Sequence, residues 1–222
     1  MEKESGVGGR FPGVASAPNA ALGRNRLLYA MILLAAAIFG AVSLPDGAPG
    51  CTLWAAAGAR TADGGTLIAK NRDWTPEADE VRLSRFRSGR RFLGLFPVRD
   101  GRKPGPVAGI SETGLVVVSA TAGGVPPAER EKGEAAPAAR LLAGFSTVDA
   151  VLRDKEWLSR SRPAIYLLAD PSRIAWLEIA PQGGVAERAT ASGTLCHTNH
   201  YLDDRPLSAH PRLARSSAAR LE

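Results

Sequence analysis

The longest apolar segment of the chain lies near its start and predicts a secretory signal peptide. Arginines precede an apolar run over residues 27–44, and a Pro-Asp-Gly sequence that breaks helices follows it. Ala48 and Gly50 then place small residues at positions −3 and −1 relative to Cys51. A positive segment, an apolar core and a small-residue cleavage site are typical of export signals. The pattern therefore predicts two parts, a signal peptide or pro-segment at 1–50 and an exported domain at 51–222.

Two other interpretations of the first segment stay open. The run over 27–44 is near the lower limit of the roughly 17–25 residues that a membrane-spanning helix needs, so the segment could remain as an anchor. A cysteine directly after the segment could also carry a lipid, although Ala48 and Pro49 are poor residues for a lipid-attachment signal. We favour cleavage, because the helix breaker and the small residues follow the apolar run so closely.

The hydrophobic positions after residue 50 predict strands that pair through hairpins, with the helices grouped together in the sequence. Hairpin-paired strands with grouped helices favour an α+β sandwich over a doubly wound parallel sheet. Ser146 is the expected N-cap of the second helix. The pattern predicts strands at 51–58, 66–71, 164–170, 174–180 and 193–197, a turn followed by a strand within 110–122, and helices at 138–145 and 146–158.

Composition narrows the class of protein only modestly. The chain has 222 residues, 45% of them hydrophobic, and two cysteines, which excludes collagen-like, disordered and disulfide-scaffold proteins. The formal net charge is +6, and residues 82–103 contain eight Lys or Arg against one Asp. We interpret this basic run as solvated strands and loops near a site, not as a nucleic-acid or membrane surface. It could attract an anionic substrate.

Cys51 and Asp73 are the first candidate catalytic residues, because the first hairpin brings them together. With a turn centred near Ala62, antiparallel pairing places Cys51 opposite Asp73. Export would make Cys51 the N-terminal residue, and a free α-amino group with a pKa of about 7.7–8.0 can accept the proton of the thiol. A carboxylate beside that amine would orient it and stabilise its charge.

The same residues resemble a known family. Cys51-Thr52 and Lys70-Asn71-Arg72-Asp73-Trp74 are similar to the start of the N-terminal-nucleophile amide hydrolases related to choloylglycine hydrolase, and most of all to the isopenicillin N acyltransferase and carcinine hydrolase group. The resemblance implies a four-layer αββα sandwich, with Cys51 as nucleophile and Asp73 as the amine-binding carboxylate. Lys70 stands where the family has an arginine. The lysine keeps the positive charge but lacks the bidentate fork of a guanidinium.

Three further motifs follow in the family's order. Residues 109–115 resemble its Gly-X-Asn-Glu-X-Gly-Leu turn, with Ser111 in place of the Asn, and Thr121 stands where bile-salt relatives have a second oxyanion donor. Asn199, in Thr-Asn-His, resembles the oxyanion-binding Asn, and Arg220, in Ser-Ser-Ala-Ala-Arg, resembles an arginine near the nucleophile. Relatives continue past that last motif, so we expect a chain shortened at its C-terminus.

The resemblance implies an exported enzyme that cleaves a linear, non-peptide amide through a thioester on the cysteine. An N-acyltransferase that uses the same thioester is the first alternative, and an inactive, truncated or lipid-anchored binding protein is the second. We expect a small-molecule amide as the partner, no nucleic acid, membrane contact only through the signal segment before cleavage, a secreted or periplasmic location, and no cofactor. The candidate catalytic residues are Cys51, Asp73, Asn199, Lys70 and Arg220.

Three histidines and a second cysteine lie near the end of the chain. With Cys196, the histidines lack the spacing of a zinc site, so we expect no metal there. His200 invites a Cys–His catalytic pair, but an N-terminal cysteine carries its own base, and we expect a structural role for His200. Cys196 is expected to be a buried free thiol, with a bridge to another chain as the open alternative.

Overall fold

The structure of the chain is a computed structural model that describes residues 50–73, 79–86, 88–98, 104–135, 137–209 and 215–221. The predicted export signal and Trp74 lie outside these residues. No helix within the described ranges is long and apolar enough to cross a membrane. The described chain is α+β, as predicted, and every strand pairing in it is antiparallel.

A small sheet carries the start of the described chain. Its strand order is β10 (Gly193–His197), β1 (Thr52–Ala57) and β2 (Thr66–Asn71), so that β1 lies in the middle and β2 at an edge. The first hairpin turns through a short 3₁₀ helix, Gly58–Arg60, in which Gly58 has a φ of 58°. This positive φ suits a glycine, which has no Cβ to clash with the backbone.

The register of this hairpin differs by one residue from the prediction. Thr52 pairs with Asn71, and Leu53 pairs with Lys70. Continued past the last pair, this register sets Asp73 opposite Gly50, and not opposite Cys51. The prediction assumed a turn centred on Ala62, whereas the 3₁₀ helix and the turn after it shift that centre by half a residue. Because side chains alternate between faces, such a slip changes which neighbours meet.

A large sheet of seven strands packs against the small one. Its strand order follows the sequence, which makes it a continuous antiparallel meander. The edge strand Val185–Thr190 was not predicted. The basic run over residues 82–103 contributes most of the strand Asp79–Arg85 and all of the strand Arg91–Pro97. The strands are β3 (Asp79–Arg85), β4 (Arg91–Pro97), β5 (Ala108–Ser111), β6 (Val116–Ala120), β7 (Ala164–Asp170), β8 (Arg173–Ile179) and β9 (Val185–Thr190).

The helices between β6 and β7 cover the outer face of the large sheet. The single helix predicted over 146–158 is two helices, because Asp154 leaves helical geometry and caps the second one. Thr147, and not Ser146, is the N-cap of the first. The described helices are α1 (Pro127–Arg130), α2 (Pro137–Gly144), α3 (Val148–Arg153), α4 (Lys155–Arg160), α5 (Asp204–Ala209) and α6 (Arg215–Ala219), with a 3₁₀ helix at Pro181–Gly183.

Two buried clusters hold these layers together. One lies between the sheets and includes Leu53, Leu167 and Ile174, and the other lies between the large sheet and the helices and includes Trp157. On the outer side of the small sheet, Leu67 is 54% exposed. The described residues thus form a sandwich with one helical layer, and the second helical layer of the predicted four-layer αββα arrangement is not seen among them.

Candidate active site

Cys51 lies immediately before β1 on the inner side of the small sheet. It is half-buried, it forms no disulfide, and it packs against the cluster between the two sheets. Alternation along β1 sends Cys51, Leu53 and Ala55 to the same face, and the last two are fully buried. The thiol is therefore anchored by the core on one side, at the end of a strand where a ligand can approach.

Asp73 lies two residues beyond β2, next to the residue that precedes the cysteine. Its Oδ2 accepts a hydrogen bond of 3.1 Å from the backbone N–H of Gly50. The observed register explains this contact, because it aligns Asp73 with Gly50. The carboxylate therefore binds one end of the Gly50–Cys51 dipeptide, even though it is not directly opposite the cysteine as the sequence predicted.

Asn199 follows β10, the strand on the other side of β1, and its side chain is held at both ends. Its Nδ2 donates to the carbonyl of Thr121 at 2.9 Å, and its Oδ1 accepts from Nη2 of Arg220 at 3.1 Å. Its own carbonyl accepts from the N–H of Gly123 at 2.6 Å. A carboxamide nitrogen has two N–H groups, and Thr121 engages one of them. The residue is thus fixed as a donor. Thr121 contributes its carbonyl to this arrangement.

Arg220 follows α6 and lies against Gly50. A methyl group on Gly50 would collide with the guanidinium of Arg220 and lie 2.8 Å from Oδ1 of Asn199. A side chain at position 50 would therefore displace the guanidinium of Arg220 and the carboxamide of Asn199. The Nε of Arg220 is buried and has no hydrogen-bond partner among the described residues. Asp73, Asn199 and Arg220, three of the predicted catalytic residues, therefore converge on the residue that precedes the cysteine.

Lys70 approaches from β2 and points between the sheets. Its Nζ donates to the carbonyl of Ser119 at 2.6 Å and to that of Val107 at 3.3 Å. Burial lowers the pKa of Lys70 to about 8, and the electrostatic effect of Cys51 partly opposes this shift. The ammonium is thus within electrostatic range of the thiol and is held by backbone oxygens.

A buried polar network that the sequence did not predict connects Asn199 to α6. Ser217 Oγ accepts from the backbone N–H of Asn199 at 2.8 Å and lies 2.8 Å from Nδ1 of His200. Thr198 Oγ1 donates to the carbonyl of Ser217 and lies 2.9 Å from its Oγ. Burial lowers the pKa of His200, with smaller effects from His197 and Arg220 that act in the same direction. His200 is thus connected through Ser217 to the backbone of Asn199 in the predicted Thr-Asn motif.

A fully buried pair, His197 and Glu178, fixes the strand that ends at Asn199. His197 Nε2 lies 2.8 Å from Oε1 of Glu178, and its Nδ1 lies 3.0 Å from the carbonyl of Thr198. Glu178 also accepts from the backbone N–H groups of Leu202 and Asp203. A glutamate within the apolar strand 174–179 was the available sequence signal, because buried carboxylates occur where they are paired.

Ser111 and Cys196, which the sequence analysis also singled out, form no contact with the residues around Gly50 that is described above. Ser111 Oγ stays within its own turn, where it accepts from the N–H of Leu115 at 3.2 Å and lies 2.8 Å from Thr113 Oγ1. Cys196 was expected to be buried but is exposed and unpaired, because it lies on the outer face of the small sheet. In the part of the chain that the structure describes, no group of three or more His, Cys, Asp or Glu side chains could hold a metal ion.

Comparison with protein families identifies the family to which the chain belongs. Residues 60–222 match the family described as acyl-coenzyme A:6-aminopenicillanic acid acyl-transferase. The matched stretch includes Lys70, Asp73, Asn199 and Arg220, and Cys51 precedes it. A search of curated proteins found no significant match. Since the family matches well over half of the sequence, the chain belongs to the acyl-coenzyme A:6-aminopenicillanic acid acyl-transferase family, within the N-terminal-nucleophile, choloylglycine hydrolase-like superfamily.

Proposed function

We propose that this protein is an exported N-terminal-cysteine amidohydrolase that cleaves a linear, non-peptide amide through a thioester on Cys51. The observation that carries the proposal is the convergence of Asp73, Asn199 and Arg220 on Gly50, directly beside the cysteine. A carboxylate, an amide donor and a guanidinium around one backbone position are more than strand pairing requires. They are the groups that an acyl-transfer site uses.

The proposal requires that the peptide bond between Gly50 and Cys51 be broken. A signal peptidase or the site itself could cleave it. The Asp73 carboxylate, which accepts from the N–H of Gly50 in the intact chain, then faces the new amino group of Cys51 and orients it. An α-amino group with a pKa of about 7.7–8.0 is a base at neutral pH, whereas a peptide nitrogen is not.

The reaction then runs in two acyl-transfer steps. The Sγ of Cys51 attacks the amide carbonyl while its α-amino group accepts the thiol proton. The oxyanion is stabilised by the N–H of Asn199 that Thr121 does not engage. The C–N bond breaks, the leaving amine takes the proton from the α-ammonium group, and a thioester remains. Water attacks the thioester, which releases a carboxylic acid and restores the thiol.

Lys70 and Arg220 supply positive charge on either side of the nucleophile. Lys70 is a point charge held by the carbonyls of Val107 and Ser119, and its proposed role is to stabilise negative charge that develops at the cysteine during the reaction. Arg220 keeps the Asn199 amide in its donor orientation by binding its oxygen. These roles need positive charge near the cysteine and no metal ion or cofactor.

Acyl transfer to a second amine is the alternative function, and the family's description as an acyl-transferase favours it. The same thioester would form, and an amine would replace water in the second step. Product analysis with and without an added primary amine distinguishes the two. A hydrolase releases only the acid, whereas a transferase forms a new amide in proportion to the added amine.

The proposal is tested by expressing the full chain in a host that exports it and determining the N-terminal sequence and turnover of the product. We expect a first residue of Cys51 with an unmodified amine and hydrolysis of a simple N-acyl anilide. Cys51→Ser should abolish turnover, and Cys196→Ser, at the other cysteine, should not. A blocked or lipid-modified Cys51, or no turnover by the unsubstituted protein, would favour the non-enzymatic alternative. Equal turnover by the two variants would exclude Cys51 as the nucleophile.

A further inference from the structure

The inner face of the large sheet is apolar well beyond the area that the small sheet covers. Paired residues of six successive strands form a continuous apolar row from one edge of the large sheet towards the other: Leu83, Leu93, Ile110, Val116, Ala169 and Ile174. These six residues lie on the side of the large sheet that faces the small sheet, because they alternate with residues that contact the helices.

The two halves of this face differ sharply in exposure. Ile174 on β8 is fully buried and Ala169 on β7 is 1% exposed, because the small sheet packs on them. On β3, β4 and β5, Leu83 is 70% exposed, Leu93 is 46% exposed and Ile110 is 45% exposed. A parallel row begins at Val81, which is 63% exposed, and continues through Leu95 to Ala108. We call the exposed half of the face, Val81, Leu83, Leu93, Leu95 and Ile110, the apolar shelf.

One strand of the shelf, β5, also contacts the inter-sheet cluster against which the nucleophile packs. Ala108, on the shelf's first strand, packs against the same inter-sheet cluster as Cys51. The residue before it, Val107, accepts a hydrogen bond from Lys70. The strand that carries Ile110 of the shelf is thus linked to the cysteine through the inter-sheet cluster and through Lys70. The shelf extends over two inter-strand spacings, about 10 Å from β5 to β3.

We propose that the shelf binds the acyl part of the substrate, and that this acyl part is an extended aliphatic chain. The inference rests on the proposed function, because it takes Cys51 as the point of attack. Contiguous exposed leucine, isoleucine and valine side chains without a polar group among them favour an apolar ligand, because the exposed apolar residues of an ordinary surface are scattered singly. The shelf's continuity with the site favours a part of the substrate over a separate protein partner.

The test compares anilides of acetic, butyric, octanoic and decanoic acids with the mature enzyme made from the full chain. Because each buried methylene contributes to binding, kcat/KM is expected to rise about fourfold per methylene until the chain reaches the end of the shelf. Leu93→Asn should reduce the ratio of decanoyl to acetyl kcat/KM at least tenfold. The control is Leu67→Asn, a similarly exposed leucine on the outer face of the small sheet, which should leave this ratio as it is.

A second measurement separates failure of the shelf from failure of the enzyme. Decanoate binding to the Cys51→Ser protein is measured by calorimetry, with acetate for comparison. If the enzyme hydrolyses the acetyl anilide but shows no chain-length preference and does not bind decanoate, the proposed role of the shelf is wrong and the proposed amidohydrolase activity is retained. No turnover of any anilide by a protein with a free Cys51 would overturn both. A change in solution mass for Leu93→Asn without a change in chain-length preference would identify the shelf as a protein interface and overturn the proposal.

Discussion

The two halves of the large sheet's inner face have the same apolar character and different surroundings. On β6, β7 and β8 the small sheet covers the apolar rows, and Leu167, Ala169 and Ile174 are 0–1% exposed. On β3, β4 and β5 residues of the same type remain exposed, with Leu83 at 70%. The covered half contributes to the core, whereas the exposed half contributes little burial free energy.

The comparison shows that strands with the same hydrophobic pattern can have different roles in the protein. The candidate catalytic residues lie on or next to the small sheet, where packing against the covered half fixes them. Asn199 follows a strand of the small sheet, and Lys70 reaches from that sheet to the carbonyl of Ser119 on β6. The shelf has no such burial, so its side chains are available to a ligand. An apolar strand position therefore does not by itself identify a core residue.

Leucine truncation on the two halves gives the largest expected contrast. Leu167→Ala removes a fully buried side chain from the inter-sheet cluster and should lower the free energy of unfolding by about 2–5 kcal/mol. Leu83→Ala should lower it by no more than about 0.5 kcal/mol, because the side chain is already mostly in water. Urea unfolding monitored by tryptophan fluorescence measures both. Similar losses for the two variants would show that the shelf is part of the core.

Asn199→Ala tests the proposed oxyanion donor, which follows β10 of the small sheet. Loss of an oxyanion donor should lower kcat by about 10²–10³-fold, equivalent to about 2.7–4 kcal/mol, with a smaller effect on KM. The matched control is Thr194→Ala, at an exposed position earlier on the same strand. A loss that appears mainly in KM would assign Asn199 to substrate binding and not to the oxyanion.

Lys70 lies where the two halves meet, and its titration gives opposite trends for activity and stability. Because burial holds the pKa of Lys70 at about 8, its charge is lost as the pH rises through 8, and turnover that depends on this charge should fall. The unfolded chain keeps that proton until about pH 10.4, so it binds more protons than the folded chain in this window. The free energy of unfolding therefore rises with pH between these values.

Lys70→Arg isolates these effects, because arginine keeps its charge throughout the window. At pH 9.5 we expect the wild-type protein to lose about 25-fold in kcat/KM relative to its own value at pH 7.5, because a lysine with a pKa of about 8 keeps its charge in only about 3% of molecules at pH 9.5 and in about three quarters of them at pH 7.5. The arginine variant should lose less. Identical pH profiles for the two proteins would remove Lys70 from the activation of the thiol.

The smallest effect is expected far from both halves. Asp154 caps α4 by accepting from the N–H of Trp157 at 3.2 Å. Asp154→Ala should lower the free energy of unfolding by about 1 kcal/mol without altering kcat, because the cap contacts no group of the site. Thermal unfolding and initial rates check the two parts. A change in kcat would show that the helical layer communicates with the cysteine.

Local patterns in the sequence predicted most of the strands but not how residues meet across the sheets. Strands 66–71 and 193–197 were predicted at their observed bounds, because alternation and turn residues are local signals. The register between Cys51 and Asp73 was wrong by one residue, because a 3₁₀ turn is invisible to symmetric counting. The break at Asp154 was missed because its neighbours continue the helical pattern on both sides.

The site was predictable to the extent that the family resemblance carried it. The motifs led to Asp73, Asn199 and Arg220, which the structure brings together around Gly50. The supporting network was not predictable. Ser217 and His200 are far apart in sequence from Glu178, and each of these residues is common on surfaces. Only their burial together beneath Asn199 distinguishes them.

The most direct test of the central claim is the intact mass of the mature enzyme, quenched with acid during turnover of an N-acyl anilide. The account predicts a chain that begins at Cys51 and carries one acyl group, located by peptide mapping on the sulfur of that residue. The adduct should disappear as substrate is exhausted. A chain that keeps the residues before Cys51, or an acyl group on Cys196 instead, would contradict it.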